Sequence, residues 1–100
     1  MINFTDDFLK DVKNLSKKYK NIKKDIQSLI SELEINQNLG ISIGNNLYKI
    51  RVANSSIPTG KSGGFRVITF VIEDDTITLL NIYSKTQKEN LNDEELKLVS

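Results

Sequence analysis

Residues 65–84 read FRVITFVIEDDTITLLNIYS, and this stretch decides the fold. β-branched and aromatic side chains fill it on both sides of three consecutive acidic residues, a composition typical of strands. We therefore predict one strand over residues 65–72 and another over residues 76–84, joined by a tight acidic turn at residues 73–75. The first of these strands is apolar on both faces at nearly every position, which predicts a central place in the sheet.

A third strand is predicted upstream, where residues 47–52 read LYKIRV. Lys49 and Arg51 alternate there with apolar side chains, so one face of the strand should pack on a core while the other stays open. The linker to the next strand, Ala53 to Gly64, contains the only proline and three of the five glycines, and we predict a flexible loop there.

Alternation also assigns faces to the last strand. Leu80 and Ile82 are predicted to lie on its apolar face, whereas Tyr83 and, just beyond the strand, Lys85 should lie on its polar face. A tyrosine and a lysine would thus join Lys49 on the open side of the sheet.

Two helices precede these strands. Thr5 is the predicted N-cap of the first helix, and an apolar stripe follows in steps of four, three and four residues: Phe8, Val12, Leu15 and Tyr19. Asn21 is the predicted cap of the second helix, which should end at a break over residues 36–40. Because both helices are amphipathic, they should form a hairpin that packs on the sheet.

The predicted fold class is α+β, with an N-terminal helix hairpin packed on a small antiparallel sheet. A short edge strand is predicted at Ile2 and Phe4, and a short C-terminal helix at Asn92 to Val99. A chain of 100 residues that is 38% hydrophobic can form one domain with one core, so we expect a single domain over residues 1–100.

Composition excludes several kinds of chemistry. The chain has no cysteine and no histidine, so it lacks thiolate catalysis, the usual general base at neutral pH and the commonest metal ligand. We expect neither a metal nor a cofactor. No stretch approaches the roughly 18 apolar residues of a membrane helix, and the opening residues do not resemble a signal peptide, so we expect a cytoplasmic protein without a membrane partner.

The charge pattern predicts an anion-binding site. No acidic residue occurs between Glu34 and Glu73, although the formal net charge of the chain is only +1. Four cations lie in this interval: Lys49, Arg51, Lys61 and Arg66. Cations without carboxylates nearby in the chain favour an anionic ligand.

A second group of cations, Lys17, Lys18 and Lys20, ends the first helix. These lysines are either a solvated helix end or contacts to nucleic-acid phosphates.

Together with Tyr83 and Lys85, the cations of the strands can serve phosphodiester chemistry. Converging Arg and Lys side chains neutralise a pentacoordinate phosphorane and its leaving oxygen without a metal. The alternative is a non-catalytic basic face that positions a nucleic-acid backbone or an acidic partner helix. Spacing alone does not separate binding from cleavage.

Three segments carry a family resemblance: LYKIRV at residues 47–52, GKSGGFRVI at residues 60–68 and IYSK at residues 82–85. In this order after a helix hairpin, they resemble the RelE/HigB branch of the RelE/ParE toxin superfamily. The resemblance implies a RelE-like fold and the toxin half of a type II toxin–antitoxin system. It also implies a metal-independent endoribonuclease that cleaves mRNA on the ribosome, with a cognate antitoxin as its protein partner.

The resemblance also assigns roles to residues. Lys49 and Arg51 match the basic pair on the strand after the hairpin, Arg66 matches the arginine after the glycine-aromatic step, and Lys85 matches a basic residue after the last strand. By this resemblance Arg66 and Arg51 stabilise charge while the ribose 2′-hydroxyl attacks the adjacent phosphate, and Lys49 or Lys85 takes part in proton transfer. Arg66 is therefore expected to serve the chemistry rather than the folding, so its removal should change stability little.

Some relatives carry a tyrosine beyond the last strand, and residues 86–100 contain none, so Tyr83 is the substitute for stacking or proton transfer. Lys61, Lys17, Lys18 and Lys20 are the predicted RNA contacts. Two other functions stay open. A ParE-like toxin poisons DNA gyrase without cutting RNA, and a binding module would need only the basic face.

Overall fold

The computed structural model describes residues 1–57, 64–72 and 76–85. It contains two helices and five strands in the following order: β1 (Ile2–Phe4), α1 (Asp6–Ser16), α2 (Ile22–Ile35), β2 (Ile41–Gly44), β3 (Leu47–Val52), β4 (Phe65–Ile72) and β5 (Thr76–Ser84). The predicted bounds of β3, β4 and β5 are confirmed. The acidic turn, Lys61 and the predicted closing helix at Asn92 to Val99 lie outside the described residues.

The five strands form one sheet in the order β1-β5-β4-β3-β2. β4 is central and pairs antiparallel with β3 on one side and β5 on the other. The predicted α+β class, a helix hairpin on a small sheet, is confirmed. The sheet is mixed rather than wholly antiparallel, because β1 pairs with the outer edge of β5 in the parallel direction.

β2 is a strand that the sequence analysis does not predict. It pairs antiparallel with β3 through a two-residue turn in which Asn45 and Asn46 have φ angles of 54° and 64°. Asparagine tolerates this left-handed conformation, which suits the twist of a hairpin. Ile41 and Ile43 alternate with Ser42 and Gly44, but four residues are too few for this alternation to identify a strand, and all four are exposed.

The core lies between the helix hairpin and one face of the sheet. Seven side chains from the helices and the turn between them are buried there, namely Phe8, Leu15, Tyr19, Ile22, Ile26, Leu29 and Leu33. The strands add Ile50, Val52, Phe65, Val67, Ile77, Leu79 and Ile82. Thr5 caps α1 as predicted, since its Oγ1 accepts a hydrogen bond from the N–H of Phe8 at 3.0 Å. Neither helix of the described chain is long and apolar enough to cross a membrane.

The predicted alternation of β5 is wrong at one position. Ile68 pairs with Asn81, whereas the next residue, Thr69, pairs with Leu79, so Leu80 is an extra residue in a β-bulge. Leu79 is therefore fully buried, and Leu80 is only partly buried. The predicted positions of Ile82 on the core face and of Tyr83 on the opposite face are confirmed.

Candidate nucleic-acid interface

Three predicted site residues form one row across the sheet, on the face that the helices leave uncovered. Arg51 on β3 pairs with Arg66 on β4, and Arg66 pairs with Tyr83 on β5. Paired residues on neighbouring strands point to the same face, with their Cβ atoms about 4.5–5.5 Å apart. Arg51, Arg66 and Tyr83 are called the cross-strand row below.

Lys49 lies one step further along the same face. It is exposed on β3, two residues before Arg51, and pairs with Ile68 of the central strand. Lys85 follows the last residue of β5, and its N–H donates to the carbonyl of Gly64 at 2.9 Å. The sheet therefore gathers Lys49, Arg51, Arg66 and Tyr83 on one face and places Lys85 at the end of the cross-strand row.

This face has an unusual electrostatic setting, because none of the five strands contains an aspartate or a glutamate. Among the described residues, Asp11 and Asp25 reach the sheet or its loops, and each accepts a backbone N–H. Asp11 accepts from Ile82 at 3.1 Å, and Asp25 accepts from Ser55 at 3.0 Å. Within residues 1–57, 64–72 and 76–85 no group of three His, Cys, Asp or Glu side chains could hold a metal ion.

Arg66 and Arg51 differ sharply in exposure. Arg51 is exposed, whereas Arg66 is only 5% exposed, and its Nη1 donates to the carbonyl of Phe65 at 3.1 Å. Arg66 is flanked by Arg51 and Tyr83 on its two neighbouring strands, whereas the pairing of β2 with β3 ends at Lys49 and leaves Arg51 flanked on one side. The expectation that Arg66 contributes little to folding stays a prediction, but the burial of its side chain and the hydrogen bond of its guanidinium favour a packing role as well.

The predicted lysine group sits at the same end of the sheet as the cross-strand row. Lys17, Lys18 and Lys20 are exposed in the turn between α1 and α2, while Tyr19 among them is buried. The hydroxyl of Tyr19 lies 3.2 Å from Oγ of Ser84, and its ring meets that of Phe65 edge-on at 5.4 Å. Because Ser84 and Phe65 adjoin Tyr83 and Arg66 in sequence, the lysines lie near the row but on the helix side of the sheet.

The start of the linker between β3 and β4 is held in place rather than flexible. Besides the bond from Ser55 to Asp25, the N–H of Asn21 donates to Oγ of Ser56 at 3.0 Å. The N–H of Ser56 in turn donates to Oδ1 of Asn54, which is 1% exposed. The predicted loop is thus fixed to α2 over residues 53–57, and its segment with Lys61 falls outside the described chain.

Sequence analysis did not single out Asp25, because an acidic residue in the first turn of a helix is ordinarily explained by the helix dipole. Its burial is the signal that it has another role. At the other end of the linker, packing requires a glycine at position 64, since a Cβ there would collide with the carbonyl oxygen of Val52.

Comparison with known proteins identifies the family. The model that describes the RelE toxin of the RelE/RelB toxin–antitoxin system matches residues 10–100. The chain belongs to the RelE toxin family. The resemblance seen in its three sequence motifs is thereby confirmed. No curated protein matches the sequence significantly.

Solved RelE structures share the fold. The isolated E. coli RelE toxin superposes with a TM-score of 0.54 at 19% identity, covering 99% of this chain and 94% of that one. The intact E. coli RelBE toxin–antitoxin complex superposes with a TM-score of 0.51 at 20% identity, covering 82% of this chain and 92% of that one. A mutant E. coli RelE bound to a peptide of the antitoxin RelB superposes with a TM-score of 0.51 at 19% identity, covering 93% of this chain and 95% of that one. At these identities the likeness concerns the fold, and the site rests on the geometry of this chain.

We predict that the two arginines of the row differ in their effect on stability. Arg66→Ala should lower the free energy of unfolding by about 1–2 kcal/mol, because it removes a packed stem and a hydrogen bond. Arg51→Ala should change it by less than about 0.5 kcal/mol, or raise it, since Arg51 is exposed and faces another cation. Urea unfolding of both variants measures the difference. Equal stability of the Arg66→Ala variant and the wild type would contradict the packing role.

Proposed function

We propose that this RelE-family toxin is a metal-independent endoribonuclease that cleaves mRNA on the ribosome. The observation that carries the proposal is the cross-strand row, in which two arginines lie side by side on adjacent strands whose sequences contain no aspartate or glutamate. Like charges placed directly opposite each other destabilise a sheet. Such an arrangement favours a ligand that supplies negative charge.

Cleavage would proceed by transfer within the RNA. The ribose 2′-oxygen attacks the adjacent phosphorus, the bond from phosphorus to the 5′-oxygen of the next nucleotide breaks, and the proton lost by the 2′-hydroxyl is balanced by one gained at the leaving oxygen. The products are a 2′,3′-cyclic phosphate and a 5′-hydroxyl. Because the phosphorane gains negative charge on its equatorial oxygens, fixed cations stabilise it more than the ground state.

The exposure of each residue indicates its role in this reaction. Arg51, on the surface, can hold two phosphate oxygens with its planar fork. Arg66 lies beside it with its guanidinium already fixed by the carbonyl of Phe65, so little reorganisation is needed when charge develops. Lys49 or Lys85 takes part in proton transfer, and Tyr83 at the end of the row stacks on a base or assists that transfer.

The lysine turn would hold the substrate complex. Lys17, Lys18 and Lys20 lie at the same end of the sheet as the row, so a nucleic acid that reaches the row can pass close to them. Such contacts to phosphates add affinity without sequence preference. Lys61 is proposed as a further phosphate contact because it belongs to the stretch of the sequence that contains cations and no acidic residue. Because ribosomes translate mRNA in the cytoplasm, we propose that the protein acts there.

A cognate antitoxin is the proposed protein partner. The E. coli relatives include RelE bound to RelB, and the open face of this sheet suits a protein that neutralises a toxin. Beyond Lys49 this face becomes apolar, since Leu47 pairs with the partly buried Phe70 and Ile72 is exposed. An amphipathic segment with acidic side chains at one end would match both halves of the face.

Removal of Arg51 tests the catalytic assignment with the least risk to the fold. Arg51→Ala should lower the rate of ribosome-dependent mRNA cleavage by about 100-fold to 1,000-fold, as loss of one preorganised donor to a developing anion typically does. Lys13→Ala is the matched control, because it removes one exposed cation of α1 away from the row. Arg66→Ala should lose at least as much activity, and Arg66→Lys should recover only part of it. Full cleavage by Arg51→Ala and Arg66→Ala would favour the gyrase-poison or binding-module alternatives.

The nucleophile can be tested on the RNA itself. We expect an mRNA with a single 2′-deoxynucleotide on the 5′ side of the scissile phosphate to resist cleavage, because the attacking oxygen is missing. The same message with the 2′-deoxynucleotide two positions away is the control. Cleavage of the first substrate at the rate of the control would mean that water is the nucleophile, and the proposed mechanism would fail.

Complex formation with the antitoxin should shield the open face. Amide exchange of β2, the exposed edge strand next to β3, should slow in the complex, and the accessibility of the Lys49 amine to acylation should fall. Lys13, on α1, serves as the internal control for acylation. A neutralised complex in which Lys49 stays as reactive as in the free toxin would place the antitoxin elsewhere.

A further inference from the structure

The β-bulge at Leu80 decides which side chains of β5 reach the cross-strand row. Before the bulge, Ile77 and Leu79 face the helices, and after it Ile82 and Ser84 do so. Since the side chains of a strand alternate, one extra residue reverses the assignment of every later side chain. An unbulged β5 paired in the same register at its start would turn Tyr83 toward the core and Ile82 toward the open face.

Two side chains from the helix side hold this bulge. The hydroxyl of Thr5 donates to the carbonyl of Leu80 at 2.8 Å, and Oδ2 of Asp11 accepts from the N–H of Ile82 at 3.1 Å. Thr5 and Asp11 are called the bulge clamp below. The hydroxyl of Thr5 also accepts the first capping bond of α1, so the start of the helix and the bulge are fixed by one group.

The clamp supplies hydrogen-bond partners to backbone groups at the edge of β5. β1 ends at Phe4, which pairs with Leu79, so within the described part of the chain no strand covers the outer edge of β5 beyond that residue. A bulge on an unpaired edge leaves backbone groups without ladder partners. Thr5 and Asp11 satisfy two of these groups, one on each side of Asn81, and thereby hold the strand in its bulged form.

We propose that Thr5 and Asp11 are positioning residues for the cleavage reaction. They act from the opposite side of the sheet by fixing the bulge that places Tyr83 beside Arg66. This inference rests on the proposed nuclease function. In this inference Asp11 acts through geometry, so any side chain that places an acceptor oxygen there can do the same. Its negative charge does not serve to compensate the charges of the arginines.

Substitutions at Asp11 separate the role of its acceptor oxygen from the role of its charge. Asp11→Asn keeps an acceptor oxygen and removes the charge, whereas Asp11→Ala removes both. Asp7→Ala is the control for charge loss on the same helix, because Asp7 is exposed in the first turn of α1. Each variant is measured for single-turnover mRNA cleavage at saturating ribosomes, for ribosome affinity and for amide exchange at Ile82.

Asp11→Ala should slow the cleavage step by about tenfold to 100-fold at unchanged ribosome affinity, since a misplacement of about 1 Å can cost about 100-fold. Exchange at Ile82 should become faster in the same variant. Asp11→Asn should stay within about threefold of the wild type in rate, and Asp7→Ala should match the wild type, because the acceptor at the bulge is intact in both. If Asp11→Ala does not fold, Thr5→Val and Thr5→Ser provide the same comparison at the other half of the clamp.

Cleavage at the wild-type rate by Asp11→Ala, despite faster exchange at Ile82, would overturn the inference. A loss of activity as large in Asp11→Asn as in Asp11→Ala would overturn it too, because charge rather than geometry would then matter. A wild-type protein that leaves ribosome-bound mRNA intact would instead overturn the nuclease function on which the inference rests.

Discussion

The rest of this structure depends on the packing of α1 and α2 against only one face of the sheet. Apolar side chains from both layers meet there, and their removal from water supplies the main favourable free energy of folding. The opposite face has no helix among the described residues to bury it, so its side chains need not be apolar. That freedom lets Lys49 and Arg51 on β3 and Tyr83 on β5 lie on this face without disturbing the core.

The same layering explains how positive charge accumulates at one end of the sheet. Asp11 and Asp25, which could have paired with arginines, are instead bound to backbone N–H groups on the helix side. Each carboxylate thus stabilises the path of the chain through a bond to the backbone. A buried N–H needs an acceptor, and an Asp oxygen forms a stronger bond to it than a neutral one does.

The row itself combines a buried and an exposed cation. Arg66 is packed in the centre of the sheet and fixed by the carbonyl of Phe65, while Arg51 on the next strand is exposed. Placing them side by side costs stability, and functional sites commonly carry such a local cost because the surrounding structure enforces it. Here the enforcing structure is the pairing of β4 with strands on both sides, together with the bulge on β5.

Elements whose patterns are local could be predicted from the sequence. Each of these patterns involves residues close in the chain. The alternation in LYKIRV and the acidic turn between two β-branched runs predicted β3, β4 and β5, and the apolar stripes predicted both helices. The three motifs predicted the family for the same reason. Thr5 caps α1 with its side chain, whereas Asn21 takes the N-cap position of α2 without a side-chain capping bond. Three features became visible only in the tertiary structure: the burial of Arg66, the parallel pairing of β1 and the bulge at Leu80. These depend on contacts such as those of Thr5 with Leu80 and Asp11 with Ile82, which join residues more than 70 positions apart and leave no periodic trace in the chain.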